Sequence, residues 1–311
     1  MAKRKKKTSW FGFGSGKKLT KTEKKQRTQA AKTTLMIFAV IAIVVAVVVG
    51  FIFLDRYVKS ATNSHDKIGK LQLVDVPGWV GQDLRARIVA AAGSFSDDFK
   101  LTSGTAASVG QRLSKMAWLY DVKISLTDTS VVVRAGYRKP VATIRSAERI
   151  YYIDEQMVVL DYVPMEKIAT PEIVGVPSHI ITWRSVGSLW ARDDLAAAIE
   201  LIYLLGRMDV EIAPDAPLLF EIKSIDVSNY DGRSNSKKPH IVFYAIDGTE
   251  IRWGARKGAW HKYLEATDEE KLTILYNTYE QMGTLQLKSA NRASYIDLTQ
   301  PQSLALPIDR Y

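Results

Sequence analysis

Residues 33–54 form an uninterrupted uncharged stretch, TTLMIFAVIAIVVAVVVGFIFL, which limits what the chain can fold into. A helix of 22 residues spans roughly 33 Å and so matches a hydrocarbon core of about 30 Å. Fifteen of these residues are Leu, Ile, Phe or Val, which favour the bilayer. A core helix of this length would ordinarily show a polar face. The stretch therefore predicts one transmembrane helix.

A removable signal peptide is the main alternative for this stretch. Signal peptides have apolar regions of about 7–15 residues followed by a small-residue cleavage site. The present run is longer, and residues 55–59 (DRYVK) offer no such site. We therefore expect an uncleaved anchor, followed by a polar linker at residues 55–67.

Basic residues are concentrated just before the predicted helix. Residues 1–32 hold 12 of the 43 Lys and Arg and only one of the 33 acidic residues, Glu23. The net charge of +10 therefore arises in this tail, which predicts a cytoplasmic N-terminus and an exported C-terminal part. We expect the tail to be disordered and to contact membrane lipid. Because its charge lies beside a membrane span, we expect no nucleic-acid partner.

Small residues recur at every fourth position of the predicted helix, at Ala42, Ala46 and Gly50. Residues with this spacing share one helix face, and their small size lets a second helix approach closely. We interpret them as a candidate helix-packing face. Alanine is common in membrane helices, so an incidental pattern is the alternative.

Apolar periodicity after the linker predicts an α+β body. Residues 68–138 follow the order β-α-α-β-β, with strands at 71–76, 122–126 and 131–133 and helices at 84–92 and 106–119. Residues 139–300 predict an antiparallel sheet flanked by helices at 191–205 and 268–281, with strands at 218–227, 240–245 and 293–298. Asp247-Gly248 predicts a hairpin turn, and Asp193-Asp194 is interpreted as first-turn charge on a helix. Residues 301–311 are assigned to a C-terminal tail.

The sequence contains no recognisable catalytic constellation. It has no cysteine, and its four histidines (His65, His179, His240 and His261) do not form an H-E-x-x-H spacing. A phosphate-binding P-loop and a G-x-S-x-G nucleophile elbow are also missing from the sequence. We therefore expect no enzyme activity, no metal, no cofactor and no small-molecule substrate.

Four segments are similar to motifs of one known family, in the family's order: residues 137–142 (YRKPVA), 151–160 (YYIDEQMVVL), 170–175 (TPEIVG) and 293–298 (ASYIDL). Their counterparts are Glu-Arg-x-Pro-Val-Ala, Tyr-Val-Asp before a hydrophobic strand, Leu-Pro-x-Leu-x-Gly, and Ser-Tyr-Val-Asp-Leu-Arg. On these motifs the chain resembles the FtsQ/DivIB bacterial cell-division proteins over residues 33–300. Tyr137 replaces the family's Glu, Thr299 replaces its Arg, and residues 229–239 look like an insertion.

The resemblance implies a POTRA domain at residues 68–138 and a β-domain at residues 139–300. It implies a non-catalytic division scaffold of the bacterial inner membrane that helps recruit or regulate septal peptidoglycan synthesis. Its partners would be FtsB/FtsL-like proteins, bound by strand addition at the last strand. The resemblance assigns this contact to Ser294, Tyr295, Ile296, Asp297, Leu298 and Thr299. Two other functions stay open: another POTRA-bearing envelope-assembly protein, and a membrane-tethered cell-wall enzyme.

The two-residue period of a strand divides this last segment into two faces. Ile296 and Leu298 are expected to pack on the helix at residues 268–281, which leaves Tyr295 and Asp297 to face a partner. The alternative makes Tyr295 an ordinary half-buried strand aromatic.

Overall fold

The computed structural model describes residues 21–62, 68–93, 98–165, 167–289 and 295–301. The chain divides into two compact units, Met1–Ser64 and His65–Tyr311. We call the second unit the body.

The first unit contains one long helix, α1 (Lys21–Thr62). Within it, the 24 residues Leu35–Val58 have a mean hydropathy of 3.4 and exposed side chains, so the helix is long and apolar enough to cross a membrane. The helix extends beyond the predicted residues 33–54 at both ends, and the disorder expected for the tail is wrong for residues 21–32. Good helix formers such as Lys, Gln and Ala prolong an already nucleated helix at little cost. Residues 1–20 lie outside the described residues.

Four strands and two helices open the body. They are β1 (Ile68–Val74), α2 (Gln82–Ala92), β2 (Asp98–Lys100), α3 (Ser103–Leu113), β3 (Leu119–Leu126) and β4 (Ser130–Tyr137). The strand order is β2-β1-β4-β3, in which β1 and β4 are parallel and the two outer pairs are antiparallel. The predicted order lacked β2, because three residues are too few to show an alternating pattern.

Helix α3 is displaced from the predicted residues 106–119. The Thr102 side chain accepts a hydrogen bond from the Thr105 amide and starts the helix early. After Leu113 the chain turns and buries Trp118, whose Nε1 donates to Asp161 Oδ1 at 2.9 Å. The last turn of the predicted helix is therefore wrong, because this tertiary contact overrides the local apolar spacing.

Eight strands form the second sheet: β5 (Pro140–Ser146), β6 (Arg149–Asp154), β7 (Val159–Asp161), β8 (Glu172–Val174), β9 (Ile222–Asp226), β10 (Ile241–Ala245), β11 (Glu250–Gly254) and β12 (Tyr295–Asp297). The helices are α4 (Asp193–Ile212), α5 (Trp260–Tyr263) and α6 (Asp268–Met282). Short 3₁₀ turns lie at Ser178–Ile180, Trp183–Ser185, Leu218–Glu221 and Tyr230–Gly232. The first residues of the strand predicted at 218–227 thus form a 3₁₀ turn.

The strand order of this sheet is β12-β11-β10-β9-β8-β5-β6-β7. The predicted antiparallel sheet is wrong for three neighbouring pairs: β12 with β11, β9 with β8, and β8 with β5 are parallel. Helix α4 lies between β8 and β9 in the chain, and α5 and α6 lie between β11 and β12. Such connections return the chain to the same end of the sheet, as a parallel pair requires.

The β6–β7 hairpin contributes buried residues to the cores of both sheets. Tyr151 and Ile153 of β6 lie in the apolar cluster that contains α4 and α6. Tyr152 and Leu160, which alternate with them in the β6–β7 hairpin, lie in the cluster of the first sheet. Strand alternation thus lets one hairpin contribute to both cores.

Residues 229–239, interpreted as an insertion, are closely bonded to the rest of the body. Arg233 donates to Asp194 at the start of α4, to the Gly175 carbonyl and to the Val227 carbonyl, at 2.7–2.8 Å. Arg192 also binds Asp194, through two nitrogens at 2.9 Å. Burial alone would raise the pKa of Asp194, but the hydrogen bonds from Arg192 and Arg233 outweigh it and hold that pKa below its usual value. The predicted first-turn carboxylate thus anchors this loop.

Gly175 packs directly against the backbone of Ser228. Its φ is +83°, and a β-carbon there would overlap the backbone nitrogen of Ser228. We expect Gly175→Ala to lower the free energy of unfolding by about 2–4 kcal/mol, through overpacking and left-handed strain. Gly258→Ala is the control, because Gly258 has φ +75° but no atom within 4 Å of an added β-carbon. Urea unfolding of both variants tests this, and equal losses would contradict the steric explanation.

Candidate functional site

Strand β12 is one of the two terminal strands of the eight-stranded sheet. It pairs with β11 in parallel, with Glu250 opposite Tyr295 and Arg252 opposite Asp297. Within the described ranges, no strand pairs with its other side. An unpaired strand edge presents main-chain donors and acceptors to which an extended peptide can add.

The inner face of β12 is fixed in the core. Ile296 and Leu298 are buried in the same apolar cluster as Leu272 and Leu275 of α6, as the two-residue period predicted. The Leu298 amide also donates to the Arg252 carbonyl at 3.0 Å. The short strand is therefore held by side-chain burial as well as by its ladder.

Tyr295 lies on the opposite face and is 50% exposed. The guanidinium carbon of Arg252 stands 4.0 Å from the centre of its ring, a cation–π distance. Arg252 is held in turn by Glu250, whose Oε1 accepts from Nε at 2.8 Å. This hydrogen bond raises the pKa of Arg252, so the group that orients the exposed ring stays cationic.

The carboxylate of Asp297 is used within the chain. Its Oδ1 accepts from the Thr299 amide at 3.0 Å and from the Thr299 hydroxyl at 2.6 Å, and its Oδ2 lies 3.9 Å from Arg252 Nη1. The Thr299 carbonyl accepts from the Ala266 amide at 2.9 Å. Asp297 thus turns the chain out of the strand, and its contact with a partner stays a prediction. Thr299, where the resembled family has Arg, completes the turn.

A buried ion pair stabilises residues 265–266, where the Ala266 amide donates to the Thr299 carbonyl. Lys271 of α6 is fully buried, and its Nζ lies 2.7 Å from Glu265 Oε2. The same oxygen accepts from the Ala255 amide at 2.8 Å, just after β11. A buried charge pair is tolerated when geometry and extra hydrogen bonds compensate for lost hydration. This arrangement holds α6 against the end of β11 and positions Ala266 for its hydrogen bond to Thr299.

The structure brings most of the predicted contact residues together and adds one. Tyr295, Ile296, Asp297, Leu298 and Thr299 form β12 and its following turn, whereas Ser294 lies outside the described residues. Arg252 was missed by the sequence analysis, although the Glu-x-Arg spacing of residues 250–252 puts both side chains on one strand face.

Ala42, Ala46 and Gly50 lie on one face of α1 in the first unit, with exposed side chains. No atom lies within 4 Å of a β-carbon built on Gly50. Helix packing on this face of α1 stays a prediction.

Among the described residues, no group of three or more His, Asp or Glu side chains is arranged to hold a metal ion. Comparison with protein-family models and with curated proteins finds no match for the chain.

Proposed function

We propose that the chain is a single-pass, non-catalytic cell-division scaffold of the FtsQ type. In this proposal the basic tail lies in the cytoplasm, α1 crosses the inner membrane, and the body lies outside it. The apolar length of α1 supports a membrane span, and the charge asymmetry around it supports this orientation. The body would hold a division partner and so recruit or regulate septal peptidoglycan synthesis.

The observation that carries the proposal is the terminal position of β12. A segment of an FtsB/FtsL-like partner would add to its open side, with main-chain hydrogen bonds supplying affinity. Tyr295, half exposed and oriented by Arg252, would provide a side-chain anchor of the kind that dominates interface energetics. The resemblance of residues 293–298 to the family's last strand supports the same assignment.

The first sheet supports a POTRA assignment for residues 68–138. Its two helices and the parallel β1–β4 pair follow the expected element order once β2 is included. We assign it the role of an interaction module.

Cellular location tests the function as a whole. A fluorescent fusion of the full chain, expressed in its native bacterium, should collect at midcell as division begins. Uniform envelope fluorescence would overturn the division role and favour a general envelope-assembly function. Purification of the full chain from membranes should also retain a membrane-anchored division protein.

Tyr295→Ala should weaken binding of the co-purified partner's extracytoplasmic segment by about 2 kcal/mol, roughly 30-fold. Loss of the ring removes an oriented anchor without disturbing the buried face of β12. Tyr120→Ala is a matched control, because Tyr120 is 47% exposed and also lies beside an arginine, Arg138. Calorimetric titration of both variants measures the difference in affinity, and equal affinities would contradict the strand-addition hypothesis.

A further inference from the structure

A cleft of about 660 Å³ opens between the helices of the first sheet and the β6–β7 end of the second. We propose that this cleft binds an acidic peptide segment that carries aromatic or large aliphatic side chains. Its volume falls within the range of about 300–1,000 Å³ that binding pockets occupy. The site uses none of the residues assigned to the β12 edge, so it is a second interaction surface of the body.

Two exposed aromatic rings line the cleft. Trp183 is 65% exposed and Tyr162 is 45% exposed, which leaves a large area of ring surface open to solvent. Such rings supply contact area at little conformational cost when they are already held in place.

Each ring contacts a neighbouring side chain. Tyr162 stacks on the buried Tyr152, with 5.2 Å between ring centres and 19° between planes. The guanidinium carbon of Arg184 lies 5.3 Å from the Trp183 ring, and Thr182 caps the short 3₁₀ turn that carries this tryptophan. The aromatic surface is therefore largely pre-organised, which reduces the entropy lost on binding.

The charge of the cleft is positive. Lys115 and Arg149 line it, are exposed, and form no hydrogen bond or ion pair through their side chains within the described part of the chain. The lining contains one acidic residue, Asp161, which already pairs with Arg87 and accepts from Trp118 Nε1. Unpaired cations next to a neutralised acid attract a negatively charged ligand and favour its encounter.

The polar groups of the cleft favour a peptide over a glycan. Its three basic side chains are donors only, and the single carboxylate is already paired, so the remaining side-chain acceptors are the hydroxyls of Tyr151 and Tyr162. Sugar hydroxyls need acceptors as well as donors, whereas carboxylates of an acidic peptide need donors alone. Aromatic rings and the partly buried Met116 can then accommodate the peptide's apolar side chains.

Binding of a defined probe tests the inference. The full chain in nanodiscs of zwitterionic phosphatidylcholine is titrated into a fluorescein-labelled peptide of alternating Glu and Tyr, followed by anisotropy. We expect saturable binding, and at least tenfold weaker binding of the same peptide with Gln in place of Glu. Equal binding of the two peptides, or no binding of the acidic one, would overturn the proposal.

Variants locate the binding. Lys115→Glu with Arg149→Glu, and separately Trp183→Ala, should each weaken binding of the acidic peptide at least tenfold. Lys123→Glu with Lys223→Glu makes the same charge change at exposed positions outside the cleft and should leave the affinity within threefold. If both charge-reversed variants lost affinity equally, overall charge would explain the binding, and the proposed site would be contradicted. Polygalacturonate is the comparison ligand. If it bound more tightly than the peptide and lost affinity in the same cleft variants, the cleft would instead be assigned to an acidic glycan.

Discussion

Asp209→Ala is expected to lower the free energy of unfolding of the body by about 3–5 kcal/mol. The Asp209 carboxylate is 3% exposed and lies near the end of α4. It accepts from the Leu218 amide at 2.9 Å, the Leu219 amide at 3.0 Å and the Tyr276 hydroxyl at 2.7 Å. Removal of the carboxylate leaves the buried Leu218 and Leu219 amides without an acceptor, at about 1–3 kcal/mol each, whereas the Tyr276 hydroxyl also lies 3.0 Å from the Leu205 carbonyl. Burial and the Asp209 carboxylate raise the pKa of Tyr276, so its hydroxyl remains a donor across the physiological range.

Thermal unfolding of the full chain in detergent measures the effect of removing Asp209. For a unit of this size the loss corresponds to a decrease in melting temperature on the order of 10 °C. Asp215→Ala is the control, because Asp215 is exposed and its carboxylate forms no hydrogen bond among the described residues. Its stability should change by about 0.5 kcal/mol or less. A similar decrease in both variants would show that Asp209 does not hold α4, the 218–221 turn and α6 together.

Ile296→Lys should destabilise the body by about 4 kcal/mol or more. Ile296 is buried against the apolar cluster of the second sheet, so a lysine there would place an unpaired ammonium among hydrocarbon groups. The adjacent Tyr295→Lys puts the same side chain on the exposed face of the same strand and should change stability by less than about 1 kcal/mol.

Limited proteolysis and urea unfolding distinguish these two lysine variants. Ile296→Lys should become protease-sensitive under conditions in which Tyr295→Lys stays resistant. Similar resistance of the two would mean that β12 is not packed on the core and contributes little to the fold. Partner binding, by contrast, should be reduced in both variants, because the second loses the exposed ring without losing the strand.

Elements with strong local signals were predictable from the sequence. The apolar run predicted the long helix α1, and Asp247-Gly248 predicted the β10–β11 turn, where Gly248 has φ +82°. Thr267 caps helix α6 through a capping box with Glu270, and the observed bounds of the helix agree with the prediction to within one residue. In each case neighbouring residues in the chain determine the structure.

Elements that depend on distant contacts were not predictable. Strand β2 exists because β1 offers it an edge, and α3 ends where Trp118 turns toward Asp161. The parallel pairs follow from where α4 and α6 pack, which periodicity does not encode.

At the candidate site, alternation predicted the buried positions of Ile296 and Leu298. The roles of Arg252 and of the Asp297–Thr299 turn required the neighbouring strand and the observed end of β12.

The number of strands in the second sheet sets how far apart its two edges lie. Neighbouring strands are spaced by about 4.8 Å, so the seven steps from β12 to β7 separate these strands by roughly 34 Å. A twist of about 20–25° at each step turns one terminal strand through roughly 150° relative to the other. Ligands bound at the two ends would therefore leave the body in widely different directions without competing for space. The sheet would thus separate the two proposed binding sites by about this distance.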